Sequence, residues 1–452
     1  MTKDSLNAVV GKTPWWRRAV FYELYVDKFA GNFRGLADKI SYFKTLGVDA
    51  LHILPHYPSP MVDDGYDVSD YMNIRKNLGT MDDFALFVSQ AKDAGIKIMV
   101  ELPFNHTSVE HPWFLKSKES KTNPYRDYYL WSNTGKELAA AANAFPEIKP
   151  SNWVFDKEAG AYFFSTFYPT QPDLNWGNPE VLKEILKVID FWVAAGVNAF
   201  RLDAVSYLAK SEGKIRNLQE SHDIIRKIRD HVERKYGDIA LLGEVHDTLD
   251  VTRTYFGDGL ECQLVYNFPL AEAIAVKLVL GEDERLKKII SDLSAPAGSA
   301  WVSFIRNHDE LSLSTLDIET RERLSNAIDP KRRLRFHGGV SARLADMCLK
   351  SKLGFEEAVR TAFGLLLSLP TAAVIYYGDE INMKNADGDA YKDTRRFVRA
   401  EFDWEEAEKQ IKNPASLFSF IRGKITERRI RGREVLDSRI FGDNTQISLR
   451  GV

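Results

Sequence analysis

A chain of 452 residues in which 61 Lys and Arg face 64 Asp and Glu, for a net charge of −3, has neither a global basic field for nucleic acid nor an acidic tail. Its 44% hydrophobic and 28% charged residues are the balance of a globular chain able to bury a large core, as one domain with an insertion or as two to three small ones. Cys262 and Cys348, the only cysteines, exclude a disulfide framework and a cysteine-based zinc site, and no run approaches the ~18 apolar residues of a membrane span.

The opening MTKDSLNAVVGKTPWW has no apolar run behind a basic start, so a cytoplasmic location without a membrane partner is expected. Eight short apolar runs then follow, at 20–26, 50–55, 97–104, 199–205, 239–245, 263–268, 300–307 and 372–380. They are almost continuously hydrophobic, the pattern of parallel strands covered on both faces. Helices separate several of them. Thr80 and Asp83 form a capping box before Phe84, Phe87 and Ala91, with Gly95 beyond the end. Asn178 caps a helix with Pro179 in its first turn and an expected apolar stripe of Leu182, Ile185, Leu186, Ile189 and Val193, ended by Gly196. Eight strand–helix alternations predict an α/β fold, the (β/α)8 barrel. An open doubly wound sheet is disfavoured, because no Gly-x-Gly-x-x-Gly follows the first strand.

Roughly seventy residues separate the third strand from the helix at Asn178, too many for a structureless loop. A small inserted domain is expected there. The division is barrel 1–106, insertion 107–178, barrel 179–430 with a closing helix at 416–430, and a C-terminal remnant at 431–452. The basic residues Arg422, Lys424, Arg428, Arg429, Arg431 and Arg433 are read as a solvated helix face rather than a nucleic-acid patch.

Barrel enzymes place their chemistry at the C-terminal strand ends. There this chain carries Arg201 and Asp203, Glu244, and Asn307-His308-Asp309. Alternation along a strand points Arg201 and Asp203 the same way. That pair alone reads as a structural ion pair. Three charged strand ends converging on one rim read as a site, because buried carboxylates are costly. Paired carboxylates are what glycoside cleavage needs: one attacks the anomeric carbon and a second protonates the leaving oxygen.

These residues resemble the four signatures of glycoside hydrolase family 13, the α-amylase family, in order: 101–106 (ELPFNH), 199–205 (AFRLDAV), 242–245 (LGEV) and 304–309 (FIRNHD). Asp64-Gly65-Tyr66-Asp67 and Gln171-Pro172-Asp173-Leu174-Asn175 add two further motifs, and the likeness runs from about Phe21 to Glu380. By that resemblance Asp203 is the nucleophile, Glu244 the acid/base and Asp309 the transition-state stabiliser. Arg201, His106 and His308 would contact the sugar, Tyr66 would stack on it and Asp67 would bind its hydroxyls. The densest likeness is to trehalose synthases, with α-glucosidases close, whereas 393–404 (DTRRFVRAEFDW) is similar to amylosucrases. The expected activity is therefore that of a retaining glycosidase or transglucosidase on a small α-glucoside of the maltose, trehalose or sucrose type. The alternatives are an amylosucrase-like transglucosidase and a non-catalytic binding or scaffold relative; oligomeric state is left open.

Three departures from the family pattern carry expectations. Arg399 keeps its place in an altered C-terminal motif and is expected to pair with Asp67 and close the pocket floor. Glu101 stands where family members usually have Asp. A family calcium position would use Asn105 and Asp173, but Lys210 stands where relatives often add a carboxylate. No cofactor and no required calcium are therefore expected.

Overall fold

The eight apolar runs pair side by side, every one parallel to its neighbours, into a closed barrel. In the computed structural model, which describes residues 14–388 and 391–431, the strands are β1 (Val20–Leu24), β2 (Ala50–Ile53), β3 (Lys97–Leu102), β4 (Ala199–Leu202), β5 (Ala240–Gly243), β6 (Leu264–Tyr266), β7 (Ala300–Phe304) and β8 (Ala372–Tyr376). Their order around the barrel is the order of the chain, and β1 closes on β8. The opening segment before Pro14 and the C-terminal remnant beyond Arg431 lie outside the described residues.

Each strand stops short of its apolar run. The ladder extends one bond further, Asp203 N donating to Leu102 O and Glu244 N to Leu202 O, both at 3.2 Å. Beyond that the polar side chains turn into the barrel mouth and the backbone leaves the sheet. The closed cylinder thus delivers Asp203 and Glu244 from adjacent strands at one height.

Between β3 and the helix α2 (Pro179–Ala194) lies a three-stranded antiparallel sheet of Trp131–Ser132, Trp153–Asp156 and Ala161–Phe164. Backbone bridges His106–Asp173 and Tyr129–Leu174 join this segment to the end of β3 and within itself, and Trp176 Nε1 donates to Phe104 O at 3.1 Å. The helix α1 (Met81–Asp93) begins with the capping box of Thr80 and Asp83.

The α2 stripe is rotated from the one expected. Val181, Ile185, Val188, Ile189 and Trp192 are buried, while Leu182, Leu186 and Val193 are only partly covered. Trp192 sets this rotation. Its indole packs edge-on against His56 and Phe84, at 4.7 and 5.1 Å between ring centroids, and donates to Tyr71 O at 2.7 Å. The closing helix, Leu417–Arg431, also departs from expectation, since its basic residues are not all solvated. Arg428 donates to the carbonyls of Leu367, Leu369 and Thr371, capping the end of the helix Phe355–Ser368, and Arg429 pairs with Asp49 at 2.6 Å.

Gly196 ends α2 at φ +100°, and a Cβ there would stand 2.5 Å from Val88 Cγ1 of α1. Gly196→Ala is therefore expected to lower unfolding stability by about 1–3 kcal/mol. Adding Val88→Ala should recover only the part due to the clash. Chemical denaturation of the two variants separates the backbone and contact contributions.

Candidate active site

Arg201 stands at the end of β4, opposite Glu101 of β3 in the sheet register, with a side chain only 1% exposed. Its Nη1 donates to Glu101 Oε2 at 2.9 Å and to Asp203 Oδ1. Its Nη2 lies 2.5 Å from Glu244 Oε1. One guanidinium thus holds three carboxylates from three neighbouring strands. Glu244 also accepts from the backbone N of Ala204 at 3.0 Å and lies 3.2 Å from His246 Nε2. Ala204 reaches that position with φ +50°, a left-handed conformation unusual for alanine and typical of strained functional turns.

Asp309, after β7, faces this cluster within a second one. His308 Nε2 lies 3.1 Å from its Oδ2, while Arg399 Nη2 and Arg395 Nη1 donate to its Oδ1 at 2.9 and 3.2 Å. Arg395 also binds Asp63 Oδ1 at 2.8 Å and Asp393 Oδ2 at 2.6 Å. Arg399 pairs with Asp64 Oδ2 at 2.5 Å, not with Asp67 as expected. The loop 61–67 explains the change. Met61, Asp64 and Gly65 all have positive φ, so the turn swings Asp64 out to Arg399. Asp67 folds back, accepting from Ser59 Oγ at 2.7 Å and Val62 N at 2.9 Å. Gly65 is required here, since a Cβ would meet Pro55 at 3.0 Å.

Between the two clusters lies a cavity of about 370 Å³ whose walls include Asp203, Glu244, Asp309, Tyr66 and His106. Arg201, His308 and Arg399 sit behind that wall, and Asp67 is fully buried away from it. Tyr66 stacks on His308 with 5.6 Å between ring centroids, and its Oη lies 2.6 Å from His308 Nε2. Asp63, Arg395 and His246 also line the cavity; sequence reasoning assigned them no role. Arg395 lies in a motif already singled out, and Asp63 precedes another, so adjacency was the available signal. In the cavity wall, Phe145 of the inserted segment meets His337 of the hairpin Arg335–Phe336/Gly339–Val340, at 4.7 Å between ring centroids.

Burial pushes Asp203 well above the usual carboxylate range, reinforced by Glu244 and Glu101 against the pull of Arg201. Burial acts on Glu244 too, but Arg201 and His246 draw it down to about 2. His308, Arg395 and Arg399 overcome burial to hold Asp309 well below the ordinary range. His106 is pulled down to about 4 by burial and is neutral at pH 7. His308 is the opposite case: burial lowers it, yet Asp309 and Glu23 lift it to about 10.

Away from the cavity, Lys210 Nζ reaches Asp173 Oδ2 at 2.7 Å and Asn105 Oδ1 at 2.8 Å. Its side chain is 2% exposed. The ammonium therefore stands between the two side chains that a calcium ion would need.

A histidine whose folded pKa is raised stabilises the fold below its ordinary pKa of ~6.5, and that contribution disappears as pH rises through the folded value. For His308 the loss falls between about 6.5 and about 10. The stability difference between the native chain and His308→Gln should therefore shrink steadily as pH rises from 7 to 10. A difference independent of pH would show that His308 is neutral.

Residues 4–329 match the family described as alpha amylase, catalytic domain. A trehalose synthase of Thermus thermophilus is 38% identical over 402 residues, covering 87% of this chain and 41% of that protein. A trehalose synthase of Pimelobacter sp. (strain R48) is 36% identical over 83% of this chain and 68% of its own length. The crystal structure of isomaltulose synthase from Klebsiella sp. LX3 superposes with a TM-score of 0.71 at 25% identity, over 92% of this chain and 84% of that one. This chain thus spans less than half of the Thermus protein. Barrel, ordered motifs and matched family agree: the chain belongs to the α-amylase family.

Proposed function

We propose that this chain is a retaining transglucosidase that rearranges short α-glucosides, maltose to trehalose in particular. The observation that carries the reading is the sharing of Arg201 by Asp203 and Glu244. Carboxylates on separate nitrogens of one guanidinium lie on the order of 5 Å apart, the spacing of retaining glycosidases. In this reading Asp203 attacks the anomeric carbon as the bond to the leaving oxygen breaks, and Glu244 gives that oxygen its proton. The released sugar then turns, Glu244 takes a proton from its new hydroxyl, and that oxygen displaces Asp203. Asp309 accepts hydroxyl hydrogens, with His308 and Arg395 fixing its carboxylate. Tyr66 offers the ring face.

Burial works against the ionised form of Asp203, while Arg201 and His246 favour the ionised form of Glu244. A glycosidic oxygen that displaces His246 from Glu244 removes one of the partners favouring its ionised form, and so favours its protonation. Retention of the released sugar needs a cover that keeps water out. The contact of Phe145 with His337 in the cavity wall, one from the inserted segment and one from the barrel, supports such a cover. The names of the two sequence relatives support the same chemistry. Among the described residues no helix is long and apolar enough to cross a membrane, and we place the enzyme in the cytoplasm.

Separate incubation with maltose, trehalose and sucrose, with products resolved, tests the reading. Trehalose from maltose is expected, with glucose as the minor product, and Phe145→Ala should raise the glucose share several-fold. Glucose alone would mean a hydrolase. Polymer or sucrose isomers would mean an amylosucrase-like or sucrose-isomerising enzyme. No turnover of any of the three would restore the scaffold reading.

We also propose that the fold requires no calcium, because the Lys210 ammonium supplies the positive charge between Asp173 and Asn105. EDTA should leave the thermal midpoint unchanged, and Lys210→Ala should lower it. A large loss of midpoint in EDTA would refute the substitution of lysine for metal.

A further inference from the structure

Beneath the cavity, between its two clusters, His52 of β2 occupies a place that the chemistry above does not use. Its side chain is fully buried, with Nε2 hydrogen-bonded to Glu101 Oε1 at 2.9 Å and Nδ1 facing Glu23 Oε2 at 3.2 Å as a charge contact without hydrogen-bond alignment. Glu101 continues to Arg201 at 2.9 Å. Glu23 continues to His308, accepting from its backbone N at 3.0 Å and lying 3.0 Å from its Nδ1. A series of close contacts in which acidic and basic groups alternate therefore crosses the barrel: Asp309, His308, Glu23, His52, Glu101 and Arg201, ending on Asp203 and Glu244. The other polar neighbours do not change the charge at its centre. Tyr266 Oη lies 3.3 Å from Glu23 Oε2, and Tyr57 Oη donates to the backbone O of Glu101 at 2.7 Å.

A carboxylate only accepts hydrogen bonds, and a neutral imidazole has only one N–H. A ring between two carboxylates meets both favourably only when both nitrogens are protonated. Without that charge, Glu23 and Glu101 would be buried with one cation fewer than their geometry requires. We infer that His52 is a positioning residue, an imidazolium that fixes the Asp309 half of the site relative to the Asp203–Glu244 half. The electrostatics agree: burial pulls His52 down, but Glu101 and Glu23 reverse this and raise it. His52 does not line the cavity, so it acts through Glu101 and Glu23. Its kinetic consequence rests on the proposed function; its protonation state does not.

The test combines two readouts on the full chain. With ¹⁵N-labelled histidine, the ring resonances that disappear in His52→Gln are assigned to His52. In the wild type they are expected to have imidazolium shifts at pH 8, and neutral-tautomer shifts at pH 7 would overturn the inference. In turnover of maltose, His52→Gln should lose kcat by about 10- to 100-fold, the range of small misplacements in an active site, with KM little changed. The acid limb of kcat/KM should also move to higher pH, because Glu23 loses one of the two cations that lower it. An unchanged pH limb together with an unchanged kcat would reduce His52 to packing. If the wild type turns over none of the three sugars, the functional reading fails, and the resonances alone decide whether the bridge exists.

Discussion

A single buried guanidinium holds the site together. Arg201 is almost wholly removed from water and touches Glu101, Asp203 and Glu244. Three carboxylates this close would repel one another far more strongly without it. Equally, an arginine at that depth would be costly without anionic partners. Each group is tolerable only because the others are present, and the parallel barrel allows this by bringing adjacent strands to the same height. Removing Arg201 would leave the carboxylates uncompensated, whereas trimming one of them leaves two.

The opposite wall repeats the principle with the signs exchanged. Asp309 is surrounded by Arg395, Arg399 and His308, and the outer faces of the two arginines are bound by Asp63, Asp64 and Asp393. A half with one cation among three carboxylates therefore faces a half in which three cations interleave with four carboxylates, across a cavity sized for a small sugar. The excess of carboxylates on both sides suits a reaction in which positive charge develops at an anomeric carbon between them. The packed pair of Phe145 and His337 in the cavity wall belongs to the same design, because strong fixed charges act fully only where water is excluded.

The barrel was legible in the sequence because strands covered on both faces must be apolar throughout, which gives eight separate runs. Polar residues ending those runs marked the mouth, and simple alternation paired Arg201 with Asp203. Loop geometry was not legible in this way. Asp64 and Asp67 lie three residues apart, and only the positive-φ turn decides which of them meets Arg399. The face of α2 shifted because one large side chain, Trp192, outweighed an otherwise regular stripe. Arg428 looked solvated because helix position says nothing of the unsatisfied carbonyls of a neighbouring helix. Glu23 and His52 did leave a trace, as single polar residues inside apolar runs. Their partners lie on other strands, so that trace acquires meaning only in the closed barrel.

The central claim is that Asp203 forms a covalent bond to the sugar while Glu244 serves its oxygen. Brief reaction with a fluorinated α-glucosyl fluoride, which slows release of the glucosyl group, followed by proteolysis and mass spectrometry, tests this directly. The account requires one glucosyl label per chain, carried by Asp203. A label on another residue would contradict it, as would turnover that releases inverted product with no labelled chain at any time.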